Sequence, residues 1–349
     1  MQIEQSKSTF KFGRIEMSQG SFGYDIQQSW IVKKIIPKKS FSLLYSPPDS
    51  FKSFIAIDIS CSVATGIKWG DFKTSRGAVI YIAGEGQFSI SKRIKAWEIA
   101  NDTKPENLWL IGNAIKISDP EWCTELIELI KNFEQDKELK VELVVIDTLA
   151  RCFTGDENSP SDMEAFITAC DTIRYMTDTS ILTVHHSGKD ASKGPRGHTS
   201  LLGAVDCDLK VQRIANTNNK VKITNDKQKD SARAPVLTLT FEEIDIGIEC
   251  EDGEAITSLV RLKEPEYKKE PKYMLGSTLI LDALGSQPNH TLTRDELRKI
   301  RFPNLNPIPA KERQRLSREL ESLIESNHIT VSQTGKKATG SDLIFLNKH

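Results

Sequence analysis

An ammonium group and a hydroxyl group follow a short apolar segment early in the chain. Residues 41–53 read FSLLYSPPDSFKS, so an apolar run and a loop rich in Pro, Ser and Asp lead into Lys52 and Ser53. In a phosphate-binding loop, backbone N–H groups at a helix start face the phosphate, a Lys neutralises the β- and γ-phosphates, and a Ser hydroxyl binds Mg²⁺. The pattern predicts such a loop, lined by Ser46, Pro47, Pro48, Asp49, Ser50, Phe51, Lys52 and Ser53.

The loop departs from the usual pattern G-x-x-x-x-G-K-[ST] at both glycines. Ser46 and Phe51 stand where glycine is preferred, and Asp49 adds a negative charge beside the expected phosphates. Glycine is preferred because a Cβ obstructs the tight turn and the close approach of the backbone to a phosphate. From these eight residues alone, an ordinary loop between a strand and a helix is an equally open interpretation.

A carboxylate ends a later apolar run. Residues 141–147 read VELVVID, which is typical of a buried parallel strand that carries Asp147 to the edge of a sheet. Ligands of open α/β sheets bind at the carboxyl ends of strands, so Asp147 is expected to meet the Lys52 loop and to act on Mg²⁺. The alternative is a turn residue or a helix cap.

Alternating strands and helices must position these groups. A helix is expected from Lys52, strands over 41–45, 77–84, 141–147 and 180–184, and a helix near Ser161 with a capping box formed by Ser161 and Glu164. Consecutive strands then follow over 209–214, 220–224, 236–241 and 258–262. This order predicts an α/β fold whose mainly parallel central sheet is extended by antiparallel strands.

The remaining segments suggest separate parts. Residues 1–27 are interpreted as an N-terminal arm, 28–263 as the α/β domain, and the charged, proline-bounded segment 264–272 as a linker. Residues 273–349 are interpreted as a winged-helix domain, since they predict three helices followed by a β-ribbon with a turn at 335–337. From Lys272 to His349 the chain carries 12 Lys and Arg against 8 Asp and Glu.

In the third helix of this segment we expect four leucine and isoleucine side chains inside and four basic side chains outside. They are Leu316, Leu320, Leu323 and Ile324, and Lys311, Arg313, Arg315 and Arg318. The third helix and the wing of such domains commonly contact DNA, but a winged helix that binds protein is the alternative interpretation.

Composition narrows the class of protein. The 349 residues are 38% hydrophobic and 27% charged, which is typical of a soluble globular chain. No apolar run approaches the roughly 18 residues that span a bilayer, and no signal-peptide segment opens the sequence, so we expect a cytoplasmic protein without membrane contact. The six cysteines are scattered and are expected to be reduced core thiols.

Several segments together resemble one family. SWIVKKIIP before the Lys52 loop, VIYIAGEG followed by RIKAWE, VVIDTLAR, and TVHHSGK with the later PRGHTS occur in the order found in RepA-type hexameric helicases of plasmids and phages. These are RecA-like P-loop ATPases related to DnaB. The resemblance covers about residues 30–262 and implies a RecA-like core.

The resemblance also implies roles for individual residues. Lys52 and Ser53 take the Walker A roles, Asp147 binds Mg²⁺, and Glu85 polarises the attacking water. His186 senses the γ-phosphate. Arg196 is the arginine finger given to a neighbouring subunit, and Lys227 with Lys229 reaches the same γ-phosphate across the interface.

The implied activity is ATP-dependent movement along single-stranded DNA in phage or plasmid replication. The implied cofactors are ATP and Mg²⁺, and the implied partners are further copies in a ring, expected to be a hexamer, single-stranded DNA, and primase or initiator proteins. Lys189 and Lys193 are candidate contacts to the DNA backbone in the pore. Two alternatives stay open: a DNA-binding replication regulator or loader with a degenerate ATPase core, and a RecA-like ATPase in recombination or defence.

Overall fold

The computed structural model describes residues 9–12, 15–188, 194–215, 217, 219–262, 266–267, 275–303, 305–325, 328–332 and 339–347. The chain divides into two compact units, Met1–Lys268 and Lys269–His349. Three predicted features lie outside the described residues: Lys189 and Lys193, the linker 264–272 apart from Glu266–Tyr267, and the turn at 335–337.

Unit 1 is an α/β domain. Its described strands are β1 (Thr9–Phe12), β2 (Ile15–Ser18), β3 (Trp30–Val32), β4 (Ile36–Pro37), β5 (Phe41–Ser46), β6 (Ala78–Ala83), β7 (Leu108–Ile111), β8 (Val141–Asp147), β9 (Ser180–His186), β10 (Cys207–Arg213), β11 (Lys220–Thr224), β12 (Leu237–Glu249), β13 (Ala255–Arg261) and β14 (Glu266–Tyr267). Its described helices are α1 (Lys52–Thr65), α2 (Gln87–Asn101), α3 (Pro120–Lys137), α4 (Leu149–Cys152), α5 (Pro160–Thr177) and α6 (Ser200–Ala204).

One large sheet organises unit 1. Its strands lie in the order β13-β12-β11-β10-β5-β9-β8-β6-β7, and β14 pairs with β12. The six strands from β10 to β7 are parallel, whereas β11 to β14 are joined by antiparallel pairing. This confirms the predicted α/β fold, with the parallel centre and antiparallel extension expected of a RecA-like core. The hairpin β12–β13 is longer than predicted, since its outer half is polar and largely exposed.

Both faces of the parallel strands are covered. Residues of α1 and α2 pack on one face and residues of α3 and α5 on the other, in two separate apolar clusters. In β8, for example, Leu143 and Val145 belong to the first cluster, and Val144 and Ile146 belong to the second. Successive side chains of a strand point to opposite faces, so a strand covered on both sides is apolar throughout.

A buried carboxylate fixes helix α1 in this layer. Asp58 is 4% exposed, and its Oδ2 accepts hydrogen bonds from Trp69 Nε1 at 2.7 Å and from Arg261 Nε at 2.5 Å. Its Oδ1 accepts a third bond from Trp97 Nε1 at 3.0 Å. Because α2 supplies Trp97 and β13 supplies Arg261, one side chain links the helix that follows the phosphate loop to two other elements.

The predicted start of helix α5 is wrong by two residues. Ser159, rather than Ser161, is the N-cap, and its side chain accepts a hydrogen bond from the backbone N–H of Asp162. Pro160 occupies the first turn, where its missing N–H costs nothing and its fixed φ suits the helix. The predicted pair of Ser161 and Glu164 therefore lies inside the helix.

Unit 2 contains three described helices and a small sheet. They are α7 (Leu275–Gly285), β15 (Thr291–Thr293), α8 (Arg294–Arg301), α9 (Ala310–Glu325), β16 (Ile329–Ser332) and β17 (Leu343–Leu346). The antiparallel sheet has the order β15-β17-β16. The capping box of Thr293 and Glu296 is confirmed at the start of α8, whereas the short strand β15 was not predicted.

The core of unit 2 corrects one prediction on α9. Leu316, Leu320 and Leu323 are buried as expected, but Ile324 is 44% exposed. Glu319 takes the fourth buried position of this face and is fully buried. Arg301 forms two hydrogen bonds of 3.1 Å to the Glu319 carboxylate, which makes burial of this charge possible.

Two further observations concern the whole described chain. All six cysteines are free, and all except the half-buried Cys250 are buried. Within the residues that the structure describes, no helix combines the length and apolarity needed to cross a bilayer.

We predict that Asp58→Asn strongly destabilises unit 1. The change leaves the buried guanidinium of Arg261 without its ionic partner, and breaking a buried pair on one side costs about 3 to 5 kcal/mol. The measurement is urea unfolding followed by tryptophan fluorescence, because Trp30, Trp69, Trp97, Trp109 and Trp122 all belong to unit 1.

Asp136→Asn is the matched control. Its carboxylate is 71% exposed and pairs with Lys137 at the surface, so its loss should change the free energy of unfolding by less than about 1 kcal/mol. Equal, small changes for both variants would contradict the anchoring role of Asp58.

Candidate functional site

The predicted phosphate loop connects β5 to α1. Strand β5 ends at Ser46 and α1 begins at Lys52, with Phe51 as its N-cap. Asp49 and Phe51 have φ angles of 56° and 61°, in the left-handed region that glycine adopts most easily. The loop therefore keeps a glycine-like backbone conformation at position 51 with a phenylalanine in place.

Serine side chains stabilise the loop from within. The hydroxyl of Ser46 donates a hydrogen bond to the carbonyl of Pro47 at 2.8 Å, and that of Ser50 donates to the carbonyl of Pro48 at 3.2 Å. Ser46 is fully buried, whereas Asp49 is exposed. The predicted negative charge of Asp49 thus lies at the surface of the loop.

Lys52 turns back onto this loop. Its side chain is buried, and Nζ donates to the carbonyls of Pro47 at 2.8 Å and Ser46 at 3.3 Å. Burial lowers the pKa of the ammonium to about 8, although the negative charges of Asp147, Asp49 and Glu85 act in the opposite direction.

Asp147 is the last residue of β8 and lies at the same edge of the sheet. It is 4% exposed, and the hydroxyl of Tyr81 donates to its Oδ2 at 2.5 Å. Burial raises the pKa of Asp147, and hydrogen bonding from Tyr81 and Ser53 opposes the rise. Among the described residues, none forms a hydrogen bond to Asp147 Oδ1. A buried carboxylate oxygen without a partner is a suitable ligand for a divalent cation.

Glu85 lies beside Asp147 because β6 and β8 end together. Ala83 is in register with Asp147, and the N–H of Gly84 donates to the Asp147 carbonyl at 2.7 Å. A Cβ at Gly84 would lie 2.7 Å from Arg151 Cβ, so this close approach requires glycine. The Glu85 carboxylate is 58% exposed and lies 3.8 Å from Arg151 Nε.

His186 ends β9, the strand between β5 and β8. It is in register with Ser46, the last residue before the phosphate loop. Burial lowers the pKa of the imidazole, and the positive charges of Lys52 and Arg196 lower it further. These effects favour the neutral imidazole, and His186 lies at the same edge of the sheet as the loop that leads to Lys52.

Arg196 is held within its own chain. Its guanidinium forms two hydrogen bonds to the Glu157 carboxylate, at 2.7 and 2.8 Å, which raise the pKa of the arginine. Its backbone N–H donates to the carbonyl of His186 at 2.9 Å. Its carbonyl lies 2.9 Å from Nε2 of His185, a buried histidine whose pKa burial lowers to about 4. The predicted arginine finger thus lies next to the β9 end of the site.

Lys227 and Lys229 lie at the opposite edge of the sheet. Lys227 Nζ donates to the carbonyls of Leu202 and Gly203, and Lys229 Nζ forms an ion pair of 2.9 Å with Asp206. Gln228, which lies between the two lysines, pairs with Cys207 at the amino end of β10. Cys207 is in register with Ser42, near the amino end of β5. The structure therefore brings together the loop, Glu85, Asp147, His186 and Arg196, but not these two lysines.

Sequence reasoning missed three residues that contact the site. Tyr81 bonds to Asp147, Glu157 holds Arg196, and Arg213 lies against the phosphate loop. Of these three, only Tyr81 could have been identified from the sequence, because a tyrosine in an otherwise aliphatic buried strand needs a partner for its hydroxyl. The other two contacts join residues 39 and 164 positions apart and follow from the tertiary fold alone.

The arrangement suits a polyphosphate with a divalent cation. The backbone at the start of α1 and the Lys52 ammonium supply positive charge, and Asp147 with the Ser53 hydroxyl supplies oxygen ligands. Within the described residues no group of three or more His, Cys, Asp or Glu forms a metal site, so phosphate and water oxygens would complete the coordination of Mg²⁺.

We predict that the unusual pKa of Lys52 appears in the pH dependence of stability. The ordinary pKa of 10.5 applies to the unfolded chain and a value of about 8 to the folded chain. Between these values the unfolded state binds more protons, so the free energy of unfolding rises with pH. Relative to Lys52→Met, the wild type should gain about 1 to 3 kcal/mol between pH 7.5 and 10.5.

Urea unfolding at several pH values measures this difference, and Lys104→Met, at an exposed lysine, is the matched control. A wild-type curve that stays parallel to that of Lys52→Met over the whole range would rule out a buried, easily deprotonated lysine.

Two comparisons with known proteins show what this chain is similar to. Among solved structures, the crystal structure of the RadB recombinase is similar to this chain, with 14% identity and a TM-score of 0.41 over 58% of this chain and 87% of that one. Residues 7–192, more than half of the chain, match the family model described as AAA domain, and they include the phosphate loop, Glu85, Asp147 and His186. The chain therefore belongs to the AAA domain family of P-loop ATPases.

Proposed function

We propose that this protein is an ATP-hydrolysing, ring-forming motor that moves along single-stranded DNA, as a helicase or translocase in phage or plasmid replication. The observation that carries the proposal is the meeting of Lys52, Asp147 and Glu85 at one edge of the sheet. Three separated segments supply a cation and two carboxylates there, which are the groups that hydrolysis of a nucleoside triphosphate requires.

Each group has a specific task in the proposed reaction. Lys52 leaves the carbonyls of the loop and binds the β- and γ-phosphates, where it stabilises developing negative charge. Asp147 and Ser53 would hold Mg²⁺, which would neutralise phosphate charge. Glu85, which is more than half exposed, orients the attacking water. The neutral imidazole of His186 can accept or donate a hydrogen bond and so respond to the γ-phosphate.

Ring formation accounts for the remaining predicted residues. Lys227 and Lys229 are too far from the Lys52 loop of their own chain to act on its nucleotide, so a role on ATP requires a neighbouring subunit. Arg196 is half exposed while it pairs with Glu157, and an exchange of partners would free it for a phosphate. We propose that these three residues complete the site of an adjacent copy, with single-stranded DNA in the central channel.

We further propose that unit 2 is a winged-helix domain that binds DNA. Its three helices and three-stranded sheet support this, together with the exposed basic side chains of α9. Arg315 forms ion pairs with Glu312 and Glu319, whereas Lys311, Arg313 and Arg318 are exposed. Primase or initiator proteins are further candidate partners of the assembled ring.

One observation favours a second function. Lys52 already bonds to two carbonyls of its own loop, and Phe51 and Asp49 replace the small residues usual there. A loop whose carbonyls accept the hydrogen bonds of its own lysine is also compatible with a degenerate ATPase core that has only a structural role, in a DNA-binding regulator or loader. A RecA-like ATPase in recombination or defence would instead hydrolyse ATP without separating the strands of a fork.

We predict that phosphate release by the wild type is stimulated by single-stranded DNA and is reduced at least about 100-fold by Glu85→Gln, since that change removes the group that orients water. Lys52→Ala should lose both hydrolysis and tight ATP binding. Glu106→Gln, at an exposed glutamate outside the site, is the matched control.

Equal background rates for wild type and Lys52→Ala would end the motor proposal and favour the regulator. Vigorous hydrolysis without strand displacement on a forked duplex would favour recombination or defence.

We predict that combined Lys311→Ala, Arg313→Ala and Arg318→Ala weakens binding of fluorescein-labelled duplex DNA and lowers its salt dependence. Each lost phosphate contact reduces the slope of log K against log salt by about 0.9, so the loss of three contacts should reduce this slope by about 2 to 3. Fluorescence anisotropy at several salt concentrations measures both effects.

The control replaces three exposed lysines of unit 1, Lys68, Lys104 and Lys131, by alanine. If both triple variants lose affinity equally, only net charge matters and α9 has no specific role.

A further inference from the structure

The phosphate loop has an unusual residue in an unusual conformation. Phe51 has φ 61° and ψ 18°, and it caps α1 directly before Lys52. The left-handed region is unfavourable for residues with a Cβ, and a bulky side chain there is a true outlier. Something outside the loop must therefore hold Phe51 in place, because Lys52 and Ser53 follow it and depend on its backbone.

An aromatic cluster contacts one side of the Phe51 ring. The ring stacks on Phe241 with 5.0 Å between centroids and an interplanar angle of 22°. Phe54 meets the edge of the Phe51 ring at 6.0 Å. Phe241 belongs to β12 and is 3% exposed, so its position is fixed by the core of the sheet.

Arg213 contacts both left-handed residues of the loop. Its guanidinium carbon lies 4.9 Å from the centroid of the Phe51 ring, and its Nη1 donates a hydrogen bond of 3.4 Å to the carbonyl of Asp49. It is the last residue of β10, the strand next to β5, and its side chain is exposed. A planar guanidinium can stack on a ring and donate to a carbonyl at the same time, which a lysine cannot do.

We propose that Arg213, supported by Phe241, is a positioning residue that holds the phosphate loop in its nucleotide-binding conformation in place of the missing glycine. Stacking on Phe51 and bonding to Asp49 fixes the two residues whose backbone is least favourable. The inference rests on the proposed nucleotide site, and it explains what holds the backbone of residues 49 and 51 in its unfavourable conformation. A loop with glycine at position 51 would adopt this conformation without help.

The competing explanation is that Arg213 is an ordinary surface arginine. Exposed arginines contribute little to folding stability, so Arg213→Ala should leave the urea midpoint of unit 1 unchanged under both explanations. The two explanations predict different effects of Arg213→Ala on nucleotide affinity and, above all, a different dependence of this effect on residue 51. A double-mutant cycle separates them.

The experiment is calorimetric titration of ADP with Mg²⁺ into wild type, Arg213→Ala, Phe51→Gly and the double variant. Arg213→Ala should weaken ADP binding about three- to tenfold, the factor expected from losing a stacking cation and a hydrogen bond. Arg213→Lys should restore little of this loss. In the Phe51→Gly background, the same arginine change should alter affinity less than about twofold, since glycine needs no support.

Two additions make the cycle decisive. A second double-mutant cycle uses Phe51→Asn in place of Phe51→Gly, in case glycine impairs folding, because asparagine also tolerates a left-handed backbone. Arg233→Ala, at another exposed arginine, is the control and should leave ADP affinity unchanged.

An equal loss of affinity from Arg213→Ala in all backgrounds, or no loss in any, would overturn the inference while leaving the nucleotide site intact. A wild type that does not bind ADP at all would overturn the proposed function, and this inference with it.

Discussion

Burial of a lysine at the start of helix α1 is the constraint on which this structure depends. A lysine that is only 7% exposed needs compensation for its charge, and the chain provides two carbonyls and the negative charges of three carboxylates, Asp49, Glu85 and Asp147. Asp49 belongs to the same loop as Lys52, whereas Glu85 and Asp147 lie 33 and 95 residues further along the chain. They reach Lys52 only because β5, β9, β8 and β6 are neighbouring parallel strands that end at a common edge. The sheet order is thus the physical reason for the site.

Helix α1 transmits this constraint to the rest of unit 1. Its first residue is Lys52, and its middle carries Asp58, whose carboxylate receives hydrogen bonds from Trp69, Trp97 and Arg261. The apolar residues of α1 around Lys52 and Asp58 bury the helix against the sheet. Because the middle of α1 is fixed in the core by these hydrogen bonds, its first residue, Lys52, is held at the edge of the sheet.

Much of this arrangement was predictable from local patterns. The apolar runs 41–45, 77–84 and 141–147 predicted three of the strands, and Thr293 with Glu296 predicted the start of α8. The errors have local causes: Pro160 moved the start of α5 to Ser159, and the buried pair of Glu319 and Arg301 displaced Ile324 from the core. Contacts such as Glu157 with Arg196 or Arg213 with Phe51 could not be predicted, because neither partner has a pattern of its own.

We propose that the loop, Glu85 and Asp147 form one site for a nucleotide and its cation. The most direct test is a crystal structure with a non-hydrolysable ATP analogue and Mn²⁺, which anomalous scattering locates. We expect manganese bound to Asp147 and Ser53, with Lys52 moved from the Pro47 carbonyl onto the phosphates. Nucleotide bound elsewhere, with Lys52 still on the loop carbonyls, would contradict it.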